Sequence, residues 1–301
     1  MTFGSVQRFI DVTRDDGLST AVTRTKAFLE IQATTLEQTY FRRPIGEPRV
    51  RTEILGSQMD LDISSSQVAR QLAANGIKEP GSVTAYRDLL AALRDNNEIV
   101  HIFDVGANIG YFTLIAANVL GSTGQIYAFE PGPNNIRQLK QNIELNNYSQ
   151  IDIEQIAIGA EQSTMELQLI GDSDIHQMVE VNPSTDGETI EVDVRTLDEF
   201  VDSQAVPADE PIVIKMDIEG YEGAAFEGMT DLLESDRPMY ILVEIHPVDD
   251  SPREDILDAL QTHGFELGMV SYDGGQTVTT DAAYDDVRHL NSNTHILAQR
   301  A

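Results

Sequence analysis

The sequence predicts an α/β protein: a mostly parallel sheet with helices on both faces, an antiparallel last strand and an N-terminal appendage of helices and a short hairpin. Three observations predict it. Apolar runs of strand length alternate with helix-like segments from Ile99 onward, the pattern of a parallel sheet with right-handed crossovers. The first of these runs, EIVHIFDVG at 98–106, breaks into a glycine-rich turn, ANIG, before the helical run YFTLIAANVL. The next run, QIYAFEP, ends on an acid, Glu130. A tight loop after one strand and a carboxylate closing the next make half of a nucleoside-binding sheet.

Residues 1–97 form the expected appendage. Between Ser19 and Tyr40, the apolar residues Ala21, Val22, Ala27, Phe28, Ile31 and Leu36 recur at roughly helical spacing. Gly46 and Pro48 end that pattern, and residues 50–63 alternate as a hairpin turning at Gly56-Ser57. The serines at 64–66 cap a helix, QVARQLAAN, that Gly76 closes. Pro80-Gly81 punctuates, and a helix from Ser82 to Leu93 leads into the core, 98–301. The appendage is expected to cover the cofactor edge and to help shape the acceptor pocket.

The core reads as strand 99–105, helix 110–120, strand 125–130, helix 133–146 and strand 151–157. A strand pair at 165–170 and 189–197 interrupts it as an insertion near 160–197. Winding resumes with strand 211–217, helix 221–234, strand 239–246, helix 252–263 and strand 265–271. Residues 272–292 read as loop, and THILAQR closes the sheet, antiparallel at its edge.

The glycine-rich turn decides which nucleoside cofactor fits. A dinucleotide fingerprint needs G-x-G-x-x-G, whose second glycine lets the backbone approach a pyrophosphate. Here the chain reads Asp104-Val105-Gly106-Ala107-Asn108-Ile109-Gly110, so Asn108 stands at the second glycine's place. Asp104 would repel a pyrophosphate but suits a ligand with a cationic end. S-Adenosylmethionine has a sulfonium and an ammonium, and Glu130 is placed to accept hydrogen bonds from its ribose diol. Gly106 and Gly110 let the backbone come close to the ligand. The first turn of the next helix (Tyr111, Phe112, Thr113), then Pro131, Asn134 and Ala157, complete the expected cofactor set.

Ligands of open α/β sheets lie beyond the carboxyl ends of the strands, which selects Asp104, Glu130, Asp217 and Glu244 together. Two roles are open to Asp217: positioning or deprotonating an acceptor, or capping the helix that begins near Tyr221. Glu219, two residues on, has the same alternatives. Glu222 reads as first-turn charge complementing the helix dipole. Lys215 lies inside an apolar strand and must find a carboxylate; Asp217, at i+2 on the same face, makes it either a structural ion pair or a holder of the acceptor. His246 shares a face with Glu244 and is either a base toward a hydroxyl or a strand-end ring bonded to a carboxylate. The other histidines lack metal-ligand spacing and the acidic runs at 249–258 and 281–286 lack that of an EF-hand; no metal is expected, the alternative being a divalent ion held by Asp217 with Glu244.

Four blocks in order, DVGANIGYFTLIAA, YAFEPGPNNIRQLKQNIELNN, VIKMDIEGYEGAAFEGM and ILVEIHP, resemble the FkbM-type methyltransferases. The resemblance covers about Tyr86 to the C-terminus, and IKMDIEGYE is its most distinctive part. It implies a class I, Rossmann-like enzyme that uses S-adenosylmethionine to methylate hydroxyl oxygens, often of sugars or natural products. It also implies that the inserted strand pair is a hairpin beside the active site, and it places Glu222 within the family's motif. The expected reaction is in-line displacement at the sulfonium methyl, toward a glycan or small-molecule acceptor. Two other readings use the same sheet: a nicotinamide-dependent oxidoreductase, disfavoured by the missing second glycine, and a cofactor-binding scaffold without turnover.

Fifty acids oppose twenty bases for a formal charge of −30, and only four bases are lysines: Lys26, Lys78, Lys140 and Lys215. With 41% hydrophobic residues and clear alternation, this is no disordered polyanion. Such a surface suits concentrated salt, where screening reaches about 3 Å at molar strength; the expected source is a halophilic archaeon with a salt-rich cytoplasm. Nucleic acid is not expected as a partner, since the densest basic cluster, Arg42, Arg43, Arg49 and Arg51, is short. The chain has no cysteine, which excludes disulfides and thiolate metal sites. It has no signal-like N-terminus and no run of about 18 apolar residues, so no integral membrane segment is expected and the expected location is the cytoplasm. Melting temperature should rise from low to molar KCl as self-repulsion is screened. A flat or falling melting temperature over that range would remove the salt adaptation.

Overall fold

The computed structural model describes residues 49–64, 66–169, 176–178, 188–246, 253–270, 276–278 and 293–300. The helical spacing read between Ser19 and Tyr40, the Arg42-Arg43 pair and the acidic run at 281–286 lie outside them. A hairpin leads, β1 (Arg49–Ile54) and β2 (Ser57–Asp62), followed by α1 (Gln67–Asn75) and α2 (Pro80–Asn96). The core begins with β3 (Val100–Val105), α3 (Tyr111–Leu120), β4 (Gly124–Phe129), α4 (Pro133–Asn146) and β5 (Ile151–Glu154). Then come β6 (Ala157–Ile158), β7 (Ser163–Leu169), β8 (His176–Met178), β9 (Glu188–Arg195) and α5 (Leu197–Ser203). Winding resumes through β10 (Ile212–Met216), α6 (Glu222–Glu227), α7 (Thr230–Glu234), β11 (Met239–Ile245) and α8 (Arg253–Thr262). The last strands are β12 (Glu266–Val270), β13 (Gln276–Val278) and β14 (Thr294–Arg300).

Among the described residues the main sheet has the order β13-β12-β14-β11-β10-β3-β4-β5. The run from β11 through β5 is parallel, and β14 is antiparallel to both its neighbours. Parallel pairing sends the carboxyl ends of β3, β4, β10 and β11 to one edge. The register sets Lys215 directly opposite Asp104, so two charged side chains meet there on adjacent central strands.

Both sheet faces are covered, which is why β3, β10 and β11 are apolar along nearly their whole length. On one face the core residues of α1 to α4 and the leading hairpin form a single cluster, including Met59, Leu72, Tyr86 and Leu114. On the other, Phe103, Tyr127 and Phe129 meet Phe200 of α5 edge-on, with ring centroids 4.8–6.2 Å from it. No helix among the described residues is long and apolar enough to cross a membrane.

Several boundaries differ from those read in the sequence. The first hairpin turns at Leu55-Gly56, since Ile54 pairs with Ser57 and both turn residues have positive φ (51° and 92°), as a two-residue primed turn requires. The second helix starts at Pro80, because proline at a first turn sacrifices no hydrogen bond. Strand 151–157 divides into β5 in the main sheet and β6, which pairs with β9 in a separate sheet. The inserted pair is antiparallel as expected. Helix 221–234 is two short helices broken around Gly228, where a Cβ would overlap the Gly159 carbonyl. The stretch read as loop after 271 contains β13, and β14 lies inside the sheet, not at its edge.

Gly106 and Gly76 both have positive φ, 84° and 70°. A Cβ at Gly106 would also run into the Asp217 carbonyl, whereas one at Gly76 meets nothing within 4 Å. Gly106→Ala should therefore lower unfolding free energy by about 2–6 kcal/mol, strain plus overlap, and Gly76→Ala by only about 1 kcal/mol. Equal losses in chemical denaturation would show that the overlap is relieved at no cost.

Candidate active site

Asp104 is the fifth residue of β3 and is buried, with the Thr113 hydroxyl donating to its carboxylate. Burial pushes its carboxyl up to about 6, against the pull of Thr113 and Lys215. In the turn beyond it, Gly106, Asn108 and Gly110 all have positive φ. Asn108 tolerates this because its Oδ1 accepts from Ile109 N at 2.7 Å. Glu130 closes the turn: it accepts from Asn108 N at 2.9 Å, Gly132 N at 2.8 Å and Asn135 Nδ2 at 3.2 Å. Tyr111, whose hydroxyl burial pushes up to about 12, donates to Lys78 O and accepts from Lys78 N, each at 3.2 Å. That reciprocal pair ties the α1–α2 loop to the start of α3.

A cavity follows these strand ends. Gln67, Gln71 and Lys78 border it on the α1 side, and Asp104, Gly106, Asn108, Tyr111 and Phe112 form its floor. Glu130, Pro131 and Ala157 line it beyond β4, and Lys215, Asp217 and Glu219 beyond β10. Leu167 of the inserted sheet and Tyr221, just before α6, also border it.

The acids beyond β10 and β11 form one charged network. Lys215, 1% exposed, lies 3.8 Å from Asp217 and 4.8 Å from the centre of the Phe112 ring. Burial works to raise the Asp217 pKa, but Lys215, then Lys78, His246 and His295, hold it below the ordinary carboxylate value. Glu219 has the reverse fate: burial, then Asp217, push its carboxyl up to about 7. Glu244 is likewise raised by burial and Asp217, and it accepts from Asn293 at 2.8 Å. His246 Nδ1 is 2.9 Å from Glu222, and its Nε2 faces Glu219 at 3.5 Å, Glu244 at 3.7 Å and Asp217 at 3.9 Å. Burial lowers this imidazole, but Glu222, Asp217 and Glu219 overcome it and carry it up to about 9.

Eleven of the sequence-selected residues border the cavity, and five do not. Gly110 faces α4, where a Cβ would come within 2.6 Å of Leu139; its freedom serves packing rather than approach to a ligand. Thr113 orients Asp104 from behind. Asn134 is exposed and accepts from Arg137 at 3.1 Å, while its neighbour Asn135 turns inward to Glu130. Glu244 and His246 stand behind Asp217 and Glu219.

The helix-cap role for Asp217 falls away, since α6 starts at Glu222 with Tyr221 at its N-cap. Glu222 is no surface dipole charge. It is 3% exposed, and besides His246 it accepts from Ile218 N and Gly220 N at 3.3 and 3.1 Å. The acids around His246 favour its protonated form, which weighs against it as a base at neutral pH. Sequence reasoning passed over Lys78 as a wall residue, although its rarity was a signal. It had none for Asn135 or Gln71.

The two histidines of this wall should titrate in opposite directions. Burial, then Lys215, lower His295 to about 4, while His246 rises to about 9. Its raised value means His246 contributes stability that is complete below about 6.5, the free value, and is lost as pH climbs through about 9. For His295 the folded value lies below the free one, so stability falls as pH drops from about 6.5 toward 4. Ring NMR in metal-free buffer should show one imidazole titrating near each value. Two rings titrating near 6.5 would contradict this arrangement.

Residues 104–267, more than half of the chain, match the Methyltransferase FkbM domain. The chain is 30% identical over 148 residues to the hexuronic acid methyltransferase AglP of Haloferax volcanii, covering 48% of this chain and 55% of that protein. It is equally similar over 148 residues to Methyltransferase 1 of Beauveria bassiana, covering 43% of this chain and 58% of the relative. It thus spans little more than half the length of these curated relatives. Among solved structures, a SAM-dependent methyltransferase from Agrobacterium tumefaciens superposes with a TM-score of 0.45 at 9% identity, over 86% of this chain and 72% of that one. The chain belongs to the FkbM methyltransferase domain family.

Proposed function

We propose that this chain is an S-adenosylmethionine-dependent O-methyltransferase whose acceptor is a hydroxyl of a sugar or glycan. One observation carries the reading. Asp104 and Asp217, at the ends of adjacent strands, flank the same buried ammonium and border the same cavity. On this reading one carboxylate faces a cationic cofactor and the other what is brought to it. Family membership supports the chemistry, and the likeness to a hexuronic acid methyltransferase supports a sugar acceptor. The formal charge of −30 argues against a nucleic-acid partner and for work in a salt-rich cytoplasm.

When bound, S-adenosylmethionine supplies a methyl group on a positively charged sulfur. Asp104 is the residue to hold its cationic end, and Glu130, with the turn it closes, to hold its ribose. Phe112, Ala157 and Leu167 exclude water from the reacting centre. Asp217, kept ionised by Lys215, positions the acceptor hydroxyl, and the carboxylates of the wall rather than His246 receive its proton. Alignment of this kind makes the encounter effectively unimolecular, worth up to about 7–11 kcal/mol in ideal cases. The α1–α2 loop, fixed through Lys78, serves as the cover on the cofactor side.

Calorimetry should show binding of S-adenosylmethionine and none of NAD. Asp217→Asn should keep cofactor affinity within a few-fold and lower the single-turnover rate by about 10²–10⁴. Retention of most of the rate would remove Asp217 from acceptor handling, and NAD binding in place of S-adenosylmethionine would remove the cofactor assignment.

A further inference from the structure

The wall beyond β10 and β11 holds more acids than the receipt of one proton needs. Asp217, Glu219 and His246 bring one ligating atom each within 4.8 Å of one another. Nδ1 of His246 is committed to the buried Glu222 at 2.9 Å, so Nε2 is the ring atom facing the two carboxylates. A ligating imidazole is oriented in this way where a carboxylate outside the ligand set holds its far nitrogen. Glu219 sits at φ 54°, a left-handed conformation that costs a non-glycine residue about 1–3 kcal/mol. Both carboxylates border the cavity, which leaves the point between the three accessible from it.

Charge points the same way. Behind this trio Glu244 lies 3.7 Å from His246. Glu79 pairs with Lys78, yet its side chain is 6% exposed and neither of its oxygens accepts a hydrogen bond among the described residues. Carboxylates thus outnumber cationic groups along the wall, and buried carboxylates need compensation. Two oxygens with one imidazole, in a chain without cysteine, suit a hard divalent ion. At metal–ligand distances of about 2.1 Å, neighbouring ligands of an octahedral ion lie about 3.0 Å apart, so Nε2 of His246, now 3.5 Å from Glu219 and 3.9 Å from Asp217, would have to close on them by about 0.5 and 0.9 Å.

We propose that Asp217, Glu219 and His246 bind a divalent cation of the magnesium or manganese class, with its remaining positions open to the cavity. The inference rests on reading that cavity as the acceptor site, where those positions would take the acceptor's oxygens and fix the hydroxyl that receives the methyl group.

The test uses the full chain, stripped with EDTA and held in molar KCl, which screens diffuse cation binding by the acidic surface. Manganese is titrated in, and free ion is followed by its electron paramagnetic resonance signal. One saturable site, displaced by magnesium, is expected. Asp217→Asn and Glu219→Gln should each weaken it at least about 10-fold and Glu222→Gln by about 10–100-fold. Asp95→Asn, at an exposed surface acid, should leave it unchanged. Absence of a saturable site in the unsubstituted protein overturns the proposal, as does a site that survives the Asp217 and Glu219 variants while circular dichroism shows them folded. If either variant unfolds, His246→Gln decides in its place. Cofactor calorimetry on the same samples keeps the questions apart: S-adenosylmethionine binding without a manganese site sinks the metal alone, and a manganese site without cofactor binding sinks the cofactor reading alone.

Discussion

A single buried ammonium organises the functional edge of this molecule. Lys215 is 1% exposed in the centre of the sheet, opposite Asp104 on one strand and 3.8 Å from Asp217 beyond its own. Such a charge is tolerated only where carboxylates and ring faces replace water. Its other contacts are the Phe112 ring and the Met216 carbonyl, at 4.8 and 3.4 Å. The turn and the charged wall beyond β10 meet at the same place: Asp217 N donates to Val105 O at 3.0 Å, and Gly106 leaves no room for a side chain beside the Asp217 carbonyl.

That shared cation does not treat its two carboxylates alike. Asp104, enclosed with Thr113, rises to about 6 because burial dominates. Asp217, reached also by Lys78 and two imidazoles, stays below the ordinary value. Similar side chains on adjacent strands thus differ in proton affinity through surroundings alone. The separation continues outward to Glu219, raised by burial and then by Asp217, and to His246, raised by the acids around it against the effect of burial.

Much of this was legible in the sequence, for identifiable reasons. Strands buried on both faces read as apolar runs, and a carboxylate ending such a run has few places to go but the sheet edge. Asp104, Glu130, Asp217 and Glu244 could therefore be selected together. What was not legible depended on contacts distant in sequence. Asn134 and Asn135 are chemically identical, and only the phase of α4 against Glu130 separates them. Glu222 looked like helix-start charge until His246, 24 residues on, was seen bonded to it. Gly228, where the two short helices part, leaves no room for a Cβ because the Gly159 carbonyl, far back in the sequence, packs against it. The place of β14 follows from the pairing choices of β11 and β12, which no local pattern encodes.

The position of β14 has a consequence for how the molecule is made. Among the described residues β14 is the only bridge between β11 and β12, although it follows both in sequence. Until Thr294–Arg300 leaves the ribosome, β11 is an open edge of apolar residues, Met239 to Ile245, the kind of surface that recruits other chains. The nascent protein can build β3 to β5 early, but the sheet beyond β11 cannot close until Thr294–Arg300 has been made. Loss of that segment would therefore part β11 from β12, although it lies far from Asp104 in sequence.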